Sequence, residues 1–200
     1  MLLFANFLPA QQNDEFRMAK KYFDYQRFIL NDEFKKKFED ETDVKQKLSI
    51  KKDLSEFMMK LDSIQNTAFI GTLIKVKNRE DLDRISAKNT STLHPANPEK
   101  TQLNEAASYP GGFETLRKQV ANLFYTHSVL PDHKLLKTHV VFVVERDGSI
   151  SSVHAEGDNF TFNRQAEIAM YLLPEKFSPA IINGNAVRYR FRLPLSMNFE

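Results

Sequence analysis

"THVVFVVERDGSISSVHAEG", residues 138–157, reads as a β-hairpin. Val140 to Val144 is an apolar run of strand length, Asp147 and Gly148 supply a turn, and Ile150 and Val153 restart the pattern with period two. The first strand is apolar on both faces, which predicts a central strand covered on both sides, whereas the second is half polar.

On the N-terminal side of the hairpin, "YPGGFETLRKQVANLFY" (109–125) begins with turn residues. It continues as a helix with Phe113, Leu116, Val120, Leu123 and Phe124 on one face. On the C-terminal side, "FNRQAEIAMYLLPEKF" (162–177) predicts a helix with Asn163 as its N-cap, ending at Leu173 before Pro174. "NAVRYRFRLPLSMNFE" (185–200) closes the chain as a third strand, with Arg188, Arg190 and Arg192 alternating with Tyr189, Phe191 and Leu193. The order helix–strand–strand–helix–strand predicts a sheet in the order second, first, third, with both helices on one face. Val141 and Val143 on the other face then need a cover: a second copy, a partner or the N-terminal helices.

Pro194 has no N–H to give to a ladder, so its strand is expected to lie at the sheet edge or to end there. An edge offers unpaired backbone donors and acceptors that another extended chain can use. The three arginines would attract an acidic peptide and discourage pairing with the strand's own copies; equally, they could serve only to solubilise that face.

Residues 13–65 are charged, aromatic and helical in period. Phe16, Ala19, Phe23 and Leu30, then Phe34 and Phe38, then Ile50, Leu54, Phe57, Met58, Leu61 and Ile64 form apolar stripes expected to pack on one another in two or three helices. "TAFIGTLIKV" (67–76) is β-rich and is expected to be a strand, followed by a short helix to Ile85. Residues 86–108 lack periodicity and have the composition of a connector. At the start, "MLLFANFLPA" resembles the end of a secretory signal peptide, with an ordinary apolar first segment as the other reading.

Composition narrows the chemistry. Lys plus Arg number 28 against 26 Asp plus Glu, too close to balance to recruit nucleic acid by charge. The absence of cysteine removes disulfides, thiolate metal sites and cysteine nucleophiles. The chain as given has no apolar run long enough to span a membrane. The five histidines form no metal-binding pattern beyond a weak His139–His154 pair across the hairpin. Ser128, Asp132 and His133 are near one another only in sequence. "YPGG" lacks the lysine of a phosphate loop. The reading is of a non-enzyme with no cofactor and no metal.

Residues 109–200 resemble the C-terminal domain of TonB proteins, in the form common in Bacteroidetes-type envelopes. The resemblance is carried by "YPGG" (109–112), "VVFVVERDGSI" (140–150), Ala166 at the family's small helical position, "FSPAIINGNAV" (177–187) and "RFRLPLSMNF" (190–199). It implies an exported, periplasmic, non-catalytic domain that binds the TonB box of an outer-membrane transporter by strand addition. The implied peptide-binding residues are Val187, Arg188, Tyr189, Arg190, Phe191, Arg192 and Leu193, with Glu105 to Ser108 beside Tyr109 as a second contact. The chain departs from the family in lacking a glycine in "LLKTHV" and in having a helical region where a membrane helix and Pro-rich spacer would stand. A soluble envelope adaptor or assembly protein with the same fold and a different partner is the alternative, and a homodimer is a third arrangement open to it.

The expectation is thus an α+β chain: a signal-peptide remnant at 1–10, a mainly helical region at 11–85, a linker at 86–108 and a TonB-like domain at 109–200. That domain would hold a three-stranded antiparallel sheet packed by two helices.

Overall fold

The computed structural model describes residues 8–89 and 103–199. The chain is α+β. Two long helices, α1 (Leu8–Asp40) and α2 (Val44–Asn89), form a hairpin. They are followed by α3 (Gly112–Asn122), β1 (Leu135–Val144), β2 (Ile150–Gly157), α4 (Phe160–Tyr171), β3 (Ala180–Ile182), β4 (Asn185–Val187) and β5 (Tyr189–Asn198). The main sheet is antiparallel in the order β2-β1-β5, and β3 and β4 make a separate two-stranded sheet.

The stretch 67–76, expected to be a strand, lies inside α2. Its β-branched and aromatic residues fit a strand locally, but Phe69, Leu73 and Val76 recur at helical spacing and all three are buried in the core. Packing of that stripe outweighs a weak local preference. Ser86 to Asn89, expected to belong to the linker, continue α2, and 90–102 lie outside the described residues. From Leu103 the chain is back against the fold. Of the first ten residues, 1–7 lie outside the described residues and Leu8 to Ala10 begin α1.

β1 is central in the sheet but is not covered on both faces. Leu136, Thr138, Val140, Phe142 and Val144 are buried toward α3 and α4, while Val141 and Val143 on the opposite face are only half-buried. The helical hairpin does not cover that face. It packs instead against α4 and the outer edge of β2: Phe16 is fully buried, stacked on Tyr171 at 5.1 Å and tilted against Phe69 at 6.0 Å. Burying one phenylalanine of this kind contributes about 2–3 kcal/mol, and Phe69, Leu73 and Val76 extend the same core.

The β1–β2 turn closes with Glu145 N–H donating to Ser149 O at 2.8 Å, and it requires glycine at 148. There φ is +79°, and a Cβ would come within 2.0 Å of the Phe177 carbonyl oxygen. α4 starts four residues before its expected start: Asn159 is the cap, its side chain accepting from Phe162 N–H at 2.8 Å. Asn163, the expected cap, instead donates to Gly157 O at 2.8 Å. The expected closing strand is broken at Arg188. Asn183 (φ 49°) and Gly184 (φ +76°) form a tight turn that folds 185–187 back onto 180–182, and only Tyr189 onward joins the main sheet.

Candidate functional site at the β5 edge

A three-stranded sheet has two outer edges, and here they differ. Along β2 the outward groups are taken. Lys77 Nζ donates to the Val153 carbonyl at 3.0 Å, Val153 N–H donates to the Tyr171 hydroxyl at 3.3 Å, and Ala155 N–H donates to Glu167 Oε1 at 3.0 Å. Ser152, at positive φ where the β1–β2 register shifts, donates its N–H to Glu80 at 2.8 Å.

These contacts depend on carboxylates anchored under the edge. Glu167 has an exposure of 0% and meets Lys77 at 2.9 Å and Arg164 at 2.6 Å, so its charge is compensated twice. Burial pushes the Glu80 carboxyl above the usual carboxylate range and the Tyr171 hydroxyl well above its own, the two sharing a 3.0 Å hydrogen bond. The hairpin and α4 therefore seal β2.

Among the described residues, β5 is the outermost strand on the other side. It pairs with β1 in unbroken register from Leu135↔Asn198 to Val144↔Tyr189. Phe199 N–H donates to Lys134 O at 2.7 Å, which fixes the parity of the ladder, since hydrogen-bonded and non-hydrogen-bonded pairs alternate. Tyr189, Phe191, Leu193, Leu195 and Met197 thus turn their backbone groups toward β1. Arg190, Arg192, Pro194, Ser196 and Asn198 turn theirs outward. Pro194 falls on the outward side, so its missing N–H costs the sheet nothing, and the strand runs on through it to Asn198 rather than ending.

The side chains follow the same alternation. Leu193 is fully buried, and Phe191 stacks between Phe142 at 5.3 Å and Phe113 at 5.4 Å. Tyr189 and Phe191 are half-buried, whereas Arg190 and Arg192 are exposed on the open face.

The other expected peptide contacts lie elsewhere. Val187 is in β4, paired with Ala180. Arg188, between the strands, reaches Glu145 at 2.7 Å and does not stand on the open face of β5. Ser108 exchanges backbone hydrogen bonds with Ser178 at 3.1 and 2.8 Å, and Glu105 pairs with Ile181, so this segment already adds itself to β3. Tyr109 is buried, its hydroxyl donating to Gln119 at 2.5 Å, and burial raises its pKa. His139 and His154 are not directly opposite: His139 pairs with Glu156 and His154 with Val141.

The sequence reading also missed a groove of about 560 Å³ between α3 and the C-terminal half of β5, lined among others by Lys118, Ala121, Phe124, Leu195 and Met197. Its only sequence signal was Arg117 and Lys118 adjoining the apolar stripe of Leu116 and Val120. Comparison with family models, with curated proteins and with solved structures gives no match to this chain.

Proposed function

We propose that the chain is a non-catalytic, periplasmic protein-interaction protein, similar to the C-terminal domain of TonB, that receives an extended peptide along β5. The TonB box of an outer-membrane transporter is the proposed guest. The observation that carries the reading is the asymmetry of the sheet: β2 is sealed by side chains of α2 and α4, while β5 turns the backbone of Arg192, Ser196 and Asn198 outward. A guest strand there gains main-chain hydrogen bonds, and the exposed Arg192 favours an acidic residue in it.

The test is a titration of the isotope-labelled full chain with peptides copied from transporter TonB boxes of the same cell. Saturable amide shifts centred on β5 support the reading, and no shift at millimolar peptide refutes it.

The helical hairpin favours a second reading, an envelope adaptor whose partner is not a transporter. No helix among the described residues is long and apolar enough to cross a membrane. The hairpin does carry exposed apolar side chains, with Met18, Tyr22, Tyr25 and Ile29 spaced along one face of α1. Capture of a partner that is lost on Tyr22→Ser with Tyr25→Ser, with peptide binding at β5 absent, would favour this reading.

A further inference from the structure

We infer that the groove between α3 and β5 is a selectivity pocket for the guest peptide, taking one bulky apolar side chain with a carboxylate two residues away; this rests on strand addition at β5. The groove flanks β5 at Pro194 to Met197, where the outward row lacks one donor because residue 194 is proline. A guest therefore makes fewer main-chain bonds beside the groove than elsewhere, and side-chain contacts must supply the binding there.

The chemistry of the groove is of two kinds. Phe124, Phe162, Leu195 and Met197 line it with apolar surface. Arg117 and Lys118 place two cations beside it against one carboxylate, Glu114, which Arg117 already meets at 3.1 Å. Thr138 also lines it, and its buried hydroxyl has no hydrogen-bond partner among the described residues. A buried polar group left without a partner is unusual.

On an added strand, alternate side chains face the same side and lie about 6.6–6.8 Å apart. One side chain can thus fill the apolar part while the next on that face reaches Lys118 or Arg117. Backbone pairing gives the peptide its place, and the groove chooses among peptides.

The test uses the full chain and terminally blocked ten-residue peptides of Thr and Val with a central Phe and, two residues on, Glu. Two relatives carry Ala in place of Phe, or Lys in place of Glu. Dye-labelled anisotropy should show the Phe peptide binding about tenfold or more tighter than the Ala peptide, the scale of one apolar side chain in a pocket. Ala121→Trp, at an exposed position of α3, should fill the groove and erase that preference while leaving the Ala peptide's affinity unchanged. Lys118→Glu should reverse the preference for Glu over Lys. Equal binding of the Phe and Ala peptides, or a preference that survives Ala121→Trp, overturns the pocket and leaves strand addition standing. Failure of every peptide to bind overturns both.

Discussion

Proline placed at two neighbouring positions of β5 should have opposite effects. The N–H of Phe191 points toward β1 opposite Phe142, so Phe191→Pro deletes a ladder bond, a net loss of about 1 kcal/mol. It also removes a ring stacked at 5.3 Å on Phe142 and 5.4 Å on Phe113; truncating such a ring costs about 3 kcal/mol, the low end of the range because it is half-buried. The total, about 4 kcal/mol, is most of the stability of a marginal domain. The N–H of Arg192 points outward like the vacant position at Pro194, so Arg192→Pro removes no internal bond and should cost about 1 kcal/mol of backbone strain. It should nevertheless weaken a guest peptide by about fivefold through one lost donor, beyond any loss seen with Arg192→Ala, which removes only the charge. Circular-dichroism melting gives the stability and peptide anisotropy the affinity. Equal destabilisation by the two prolines would refute the outward assignment of Arg192, and with it strand addition at β5.

Further outcomes follow from the sealed side and from the turns. Glu167→Ala strands Lys77 and the Ala155 N–H, so it should cost about 3 kcal/mol and, by opening the β2 edge, produce self-association visible in sedimentation. Glu80 has a raised pKa in the fold, so its contribution to stability is fully present below the unfolded carboxyl's pKa and is lost as pH rises through the folded one. Glu80→Gln, which keeps an acceptor oxygen, should therefore melt higher than the parent at pH 7 and equal to it near pH 4; a parent more stable at pH 7 would contradict the assignment. Gly148→Ala should lose about 2–3 kcal/mol in a denaturant titration, because positive φ and the Phe177 carbonyl both exclude a Cβ.

The sheet was the most legible part of the sequence. Period-two alternation around Asp147-Gly148 marked the hairpin, and Pro194 marked the edge, because both signals are local. The long α2 was less legible: "TAFIGTLIKV" has strand-like residues, and only the tertiary contacts of Phe69, Leu73 and Val76 make it helical. The Asn183-Gly184 turn was present in the sequence as "NG" but was read through, which placed Val187 and Arg188 on the wrong strand. Valine on both sides of β1 suggested two covers, although half-burial of Val141 and Val143 suffices in a sheet with one face open. The sealing of β2 could not be read at all, since Lys77 and Glu167 are 90 residues apart and ordinary in their local contexts.

The most direct measurement is backbone amide hydrogen exchange of the full chain with and without a saturating extended peptide. Slowed exchange at Arg192, Ser196 and Asn198, with Tyr189, Phe191, Leu193, Leu195 and Met197 already slow in the free chain, is what strand addition at β5 requires. Protection confined to β2 or to the helical hairpin, or none along β5, would contradict it.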